Sequence, residues 1–160
     1  MINSKGKDMK KLIIGFVALL TIVFITVSCD DKDDDHQIPS TSLPAPAIGF
    51  LDMNFKDIKI RNVEKKNPNQ ANGTVYSVEL VNGIEVDFDQ EGIWKEVESD
   101  NNTAIPTGFI LPSIVSYVTT NYTTAQITAI DKVATGFEVD LTNDIDLLFD
   151  VNGDFVKIVL

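Results

Sequence analysis

Two stretches of the chain lie over each other without a gap. Residues 74–99 read TVYSVELVNGIEVDFDQEGIWKEVES, and residues 135–160 read TGFEVDLTNDIDLLFDVNGDFVKIVL. Thr74, Val78, Leu80, Asn82, Ile84, Phe88, Asp89 and Gly92 meet identical residues, while Tyr76 meets Phe137 and Trp94 meets Phe155. The segments upstream also match: Asn54, Ile60 and Lys65 meet Asn121, Ile127 and Lys132. The connection between the two parts is longer in the first copy, around NPNQANG at 67–73, whose Pro, Asn and Gly mark a surface loop. A chain that repeats itself over this length is expected to build its core from two like units.

Each copy reads as a helix followed by four strands. In the second, Leu111, Ile114, Val115, Val118 and Tyr122 follow helical spacing, and Pro112 suits a first turn, where its missing N–H is not needed. In the first, Ile48, Leu51 and Phe55 take the matching places, in a helix weakened by Gly49. Ile60 and Val63 mark a strand. Tyr76, Val78 and Leu80 alternate, then Ile84, Val86 and Phe88, with Asn82-Gly83 expected to form a type I′ turn. Residues 93–97 read as a fourth strand. The second copy follows with Phe137, Val139 and Leu141, then Ile145, Leu147 and Phe149, then 155–160. Alternation implies one buried and one wetter sheet face. The expected fold is α+β: a tandem repeat of helix-plus-four-strand units, about 47–99 and 105–160, in a mainly antiparallel sheet with helices packed on one face. With 44% hydrophobic residues this part is large enough to bury a core.

The first 28 residues belong to export. Lys5, Lys7, Lys10 and Lys11 precede an apolar run from Leu12 to Val27, the layout of a secretory signal peptide. The run is shorter than the about 20 residues a spanning helix needs, although a retained anchor is the alternative. Cys29 is the only cysteine, so no internal disulfide forms. Its place after Thr26-Val27-Ser28 resembles the lipobox of bacterial lipoproteins, which implies lipid attachment at Cys29; the alternative is a chance cysteine near an ordinary cleavage site. Residues 29–46, acidic and then rich in Pro, Ser and Thr, read as a disordered tether. The pattern Cys29-Asp30-Asp31-Lys32-Asp33-Asp34 resembles the acidic export signals of surface lipoproteins of the Bacteroidetes group. The expected location is the cell envelope, as an outer-membrane lipoprotein facing outward or into the periplasm.

Charge excludes one class of partner. The net charge is −11, and residues 1–28 hold four of the 13 basic residues but one of the 24 acidic ones, so the mature chain is more acidic still. Such a surface repels nucleic acid. Catalysis has few candidates. His36, the only histidine, falls in the expected tether, and Cys29 is expected to carry lipid. Nucleophile–histidine pairs and His/Cys zinc sites are therefore not expected, and no catalytic residue or cofactor is assigned. Glu85, Asp87, Asp140 and Asp146 alternate with the apolar set and read as a solvated sheet face.

One stretch suggests a metal. DFDQEGIWKEVE at 87–98 places acids and Gly92 at nearly the spacing of an EF-hand loop. Its flanks alternate as strands do, and its counterpart LFDVNGDFVKIV keeps only Asp150 and Gly153. The shared part is a turn, in which Asp89 and Asp150 bond N–H groups two residues on and the glycines take positive φ. No metal site is assigned; a weaker calcium site at Asp87, Asp89 and Glu91 stays open.

The pattern of a Pro-containing helix, an "NY" pair at Asn121-Tyr122 and FEVDLTNDIDLLFDVNGDF resembles the PepSY-like, beta-lactamase-inhibitor-like domains of Bacteroidetes lipoproteins. Lys56 and Thr123 stand where that family often has proline. The resemblance implies a secreted, non-catalytic α+β module. The expected function is a lipid-anchored envelope binding or inhibitory module with a protein or peptide partner; the alternative is a calcium-responsive envelope protein.

Overall fold

The computed structural model describes residues 36–67 and 72–159, all within the unit Asp31–Leu160. The signal peptide, Cys29 and the acidic run after it lie outside the described residues. Among the described residues, no helix is long and apolar enough to cross a membrane.

The elements run β1 (His36–Gln37), α1 (Ala45–Asn54), β2 (Ile60–Lys65), β3 (Tyr76–Leu80), β4 (Ile84–Phe88), β5 (Trp94–Ser99), α2 (Pro112–Asn121), β6 (Ile127–Val133), β7 (Gly136–Leu141), β8 (Asp146–Asp150) and β9 (Phe155–Val159). Among the described residues the strands form one nine-stranded sheet in sequence order, with every neighbour antiparallel. This corrects the expected tandem of helix-plus-four-strand units. β5 and β6 join the two halves directly, with Glu96 opposite Asp131, Val97 opposite Ile130 and Glu98 opposite Ala129. Two separate units would leave these strands as open edges and uncover Val97 and Ile130, which are buried here. The sheet therefore has a single apolar face and a single core.

That core follows from the period of two. Val78, Leu80, Ile84, Val86, Phe88, Val97, Ile130, Val139, Leu141, Leu147 and Phe149 are buried on one face, and Ala47 and Leu51 of α1 with Ile114 and Val118 of α2 complete the cluster. Phe88 and Phe149 are fully enclosed. Phe50 meets Phe88 edge-on at 5.8 Å, and Tyr117 meets Phe149 edge-on at 5.5 Å.

Residues 36–46 are not a free tether. β1 pairs with β2, the Ile38 N–H donates to Val63 O at 2.9 Å, and Leu43 is buried. Leu43 and the segment's prolines explain the difference: the apolar residue finds a core site, and Pro39 and Pro44 flank a short 3₁₀ turn with extended backbone. Pro46 and Pro112 both sit in first helical turns.

The tight turns also depart from expectation in one case. At Val81–Gly83 only Gly83 takes positive φ, 81°, and its N–H donates to Leu80 O at 3.1 Å. A type I′ turn needs two consecutive positive φ angles, so this is a one-residue left-handed closure instead. The Asp…Gly turns form as expected. Asp89 Oδ1 accepts the N–H groups of Glu91 at 3.1 Å and Ile93 at 2.8 Å, and Asp150 Oδ1 accepts those of Asn152 and Asp154, both at 2.9 Å.

These turns carry the helices. Gly92 and Gly153 have φ 82° and 81°. A Cβ on Gly92 would lie 2.8 Å from Pro44 Cβ and 3.0 Å from the Ala47 backbone nitrogen. One on Gly153 would lie 2.2 Å from Ser113 Oγ, which donates to Asn152 O at 3.2 Å. Each turn thus seats the start of a helix, and glycine answers both the backbone angle and the close approach. Gly153→Ala is expected to cost about 1–3 kcal/mol in urea unfolding, from left-handed strain and a displaced helix start. Gly49→Ala, in a helix with open space around it, should instead stabilise by about 0.5–1 kcal/mol.

Candidate functional site: an acidic sheet face

Burying one face of the sheet sends every alternate residue to the other. The register then aligns them in two rows across the strands. The first row runs Glu64, Ser77, Asp87, Glu96, Asp131, Glu138. The second runs Asn62, Glu79, Glu85, Glu98, Ala129, Asp140, Asp146. Like charges therefore stand directly opposite each other, as in Glu85 with Glu98, Asp87 with Glu96 and Asp140 with Asp146. Such pairs are destabilising while both are ionised.

Two ion pairs lie on β2 and its flanks. Arg61 pairs with Glu79, and Lys66 pairs with Glu64 at 2.8 Å. In the centre, Ser77 Oγ donates to Glu85 Oε1. Burial and crowding raise the carboxyl pKa values. Burial pushes Glu96 up to about 7, with Glu98 and Asp131 adding repulsion. Burial first, then Glu85, raises Glu98. Asp140 is raised by burial and then by Asp146 and Glu138. Asp131 is raised by burial, against the pull of Lys95. Asp87 is raised by burial, and one of its buried carboxylate oxygens has no hydrogen-bond partner among the described residues.

Among the described residues, the one group of three ligand-type side chains that converges is Glu138, Asp140 and Asp146, with carboxylate oxygens within 4.8 Å of one another. An all-oxygen, acidic donor set suits a hard cation such as Ca²⁺, which takes 6–8 oxygens, and does not suit zinc. The calcium residues suggested by the EF-hand-like spacing do not converge. Asp87 lies on the acidic face, whereas Asp89 spends its Oδ1 on the turn beside Glu91. The three carboxylates that do converge belong instead to β7 and β8.

The aromatic pair is chiefly packing. Trp94 is half-buried, stacks on Phe50 at 6.1 Å and carries the Lys132 ammonium 3.6 Å above its ring. Phe155 stacks on Tyr117 at 4.6 Å. His36 is exposed on β1.

The residues 74–157 match the family model for the "putative beta-lactamase-inhibitor-like, PepSY-like" domain, more than half of the chain. The chain belongs to this family. Three solved structures share the fold of this PepSY-like chain, each covering 79% of it. A Bacteroides thetaiotaomicron protein described as a "putative calcium-regulated periplasmic protein" is 32% identical, with a TM-score of 0.72 and 98% of its own length covered. A Bacteroides vulgatus "putative periplasmic protein" is 30% identical, with a TM-score of 0.71 and 98% covered. A second Bacteroides vulgatus "putative periplasmic protein of unknown function" is 27% identical, with a TM-score of 0.71 and 99% covered. No curated protein matches the chain.

Sequence reasoning found the alternating acids on β4, β7 and β8 and read them as solvated. It missed Glu96, Asp131 and Glu138, and met Glu98 only as the last acid of the EF-hand-like stretch. Their contribution depends on the β4–β5–β6–β7 register, which includes a shift at Asp87/Phe88 that no local pattern discloses. The signal that could have found them is the acid content of Trp94–Ser99, taken with the small number of basic residues.

The raised carboxyls bind protons more tightly in the folded chain than in the unfolded one. Their stabilising effect is complete below the unfolded pKa and is lost as pH rises through the folded value. For Glu96 that window lies between 4.5 and about 7. The melting temperature of the PepSY-like chain should therefore rise between about pH 8 and about pH 5. Glu96→Gln should stabilise at the alkaline end by up to ~1 kcal/mol and flatten the slope across the window. A wild-type melting temperature that falls on acidification there would contradict this account of the face.

Proposed function

We propose that this chain is a lipid-anchored, non-catalytic binding module of the cell envelope. It is tethered through Cys29 and presents the acidic sheet face to a cationic protein or peptide. The observation that carries this reading is the pair of cross-strand carboxylate rows, held together despite their mutual repulsion. A face built this way lowers its free energy when positive charge is brought to it. The periplasmic description of the relatives supports an envelope location, outer-membrane attachment is the finer form of that proposal, and the inhibitor-like family description supports docking without catalysis.

Two experiments test it. The mature chain on a resin should retain basic proteins from envelope extract and release them as salt rises, because an exposed acidic surface is screened. The double variant Glu96→Gln, Asp131→Asn should retain several-fold less. Retention of nothing specific, or equal retention by the variant, would refute docking at this face. Separately, Cys29→Ala should move the protein from the membrane fraction to the soluble fraction; no change would refute the anchor.

A second reading has its own observation. Glu138, Asp140 and Asp146 converge within carboxylate-sharing distance, and one relative is described as calcium-regulated. On this reading, Ca²⁺ takes the β7–β8 end of the face and regulates it. Calcium should raise the melting temperature of the wild type and leave Asp140→Asn, Asp146→Asn unchanged. The same rise in both proteins would place calcium elsewhere.

A further inference from the structure

We propose that the partner of the acidic face is a cationic helix lying across the strands, with basic residues at i, i+3, i+7 and i+10. This rests on the docking reading above and adds the partner's shape. One run of acids on the face is unbroken: Asp87, Glu96, Asp131 and Glu138 stand opposite one another on β4, β5, β6 and β7. The second row is interrupted by Ala129, and its Glu79 is already paired with Arg61. The unbroken run is also bounded. Beyond Asp87 the register places Ser77, and beyond Glu138 it places Leu148 and then Lys157. The face thus offers carboxylates in line on four adjacent strands, with an apolar residue and a lysine past the β7 end.

Spacing selects the partner's conformation. Neighbouring strands lie about 4.8 Å apart, so the sites fall at about 0, 4.8, 9.6 and 14.4 Å along the row. A helix rises about 1.5 Å per residue, which puts i, i+3, i+7 and i+10 at about 0, 4.5, 10.5 and 15 Å on one stripe. Each carboxylate is then met within about 1 Å, well inside the reach of a Lys or Arg side chain. An extended chain spaces its same-side residues by about 6.7 Å and is out by about 6 Å at the last site. Laid along a strand instead, it meets only a pair such as Glu96 and Glu98 on β5. The next position past Glu138 suits an apolar residue over half-buried Leu148, because a further cation there approaches Lys157. The Asp87 end carries an unmet acceptor. Asp87 Oδ1 and Thr74 Oγ1 are buried without hydrogen-bond partners among the described residues, and Thr74 is 2% exposed. The Val75 N–H donates to Phe88 O at 2.8 Å, which brings Thr74 to the end of β4 that holds Asp87. A carboxyl turns readily about its terminal bond, so this oxygen is available to the N–H donors of an arriving Lys or Arg.

Two peptides of one composition test this against the full chain held in neutral detergent. Both carry the same lysines on an Ala/Gln background. One places them at i, i+3, i+7 and i+10, and the other at every second residue. In a fluorescence-anisotropy titration at low salt, the first should bind several-fold more tightly, and its circular dichroism should become more helical on binding. Glu96→Gln, Asp131→Asn should erase the difference between the peptides, while Asp52→Asn, at an exposed position of α1, should keep it. Equal binding of the two peptides, tighter binding of the alternating one, binding with no gain of helix, or a preference that survives the double substitution would overturn the helical partner. Those results would leave cation docking itself standing. Binding of neither peptide would remove the docking reading and this inference with it.

Discussion

The burial of one sheet face under two short helices constrains the rest of the molecule. Once Val78, Val86, Val97, Ile130, Val139 and Leu147 enter the core together, the pleat leaves no freedom for their neighbours. Asp87, Glu96, Asp131 and Glu138 must line up on the other side because the residues beside them must be dry. The repulsion among these acids opposes folding, yet a slip of one residue in any strand would bury acids and expose the apolar set. The hydrophobic gain from a single fully buried Val or Leu, about 1.5–3 kcal/mol, exceeds the about 0.2–1 kcal/mol of a like-charge cross-strand pair. The core therefore wins, and the acidic face is held in place by it.

The helices depend on the hairpins in turn. Each helix starts against an Asp…Gly turn, at Gly92 for α1 and Gly153 for α2. The aspartate ties down the turn's N–H groups, and the glycine lets the helix start approach. This links a local four-residue geometry to the placement of the element that covers the core. It also explains why a stretch with acids at calcium-loop spacing is a structural turn. The carboxylate of Asp89 is occupied by backbone, as is that of Asp150, which N–H donors hold below its ordinary pKa range.

Much of this was legible in the sequence, and the limits have physical causes. Alternation identified β3, β4, β7 and β8, and helical spacing identified α2 with its first-turn proline. The Asp…Gly turns were readable because their residue types match their hydrogen bonding. The arrangement of the halves was not readable, since the β5–β6 pairing is a long-range contact between strands separated by a helix. Residues 36–46 were read as tether because their composition is polar, whereas the β1–β2 pairing, one buried leucine and two extended prolines flanking a 3₁₀ turn dock them. The site suffered most. Single acids on single strands look solvated, and only the register shows that they stack across the sheet.

These carboxyls are crowded and partly desolvated, rather than scattered on an open surface. A carboxyl-carbon NMR titration measures that most directly. Glu96 is predicted to titrate with a midpoint of about 7, and the midpoint should fall when oligo-lysine is added, because a bound cation favours the ionised form. A Glu96 midpoint at the ordinary 4.5, unmoved by oligo-lysine, would contradict the account.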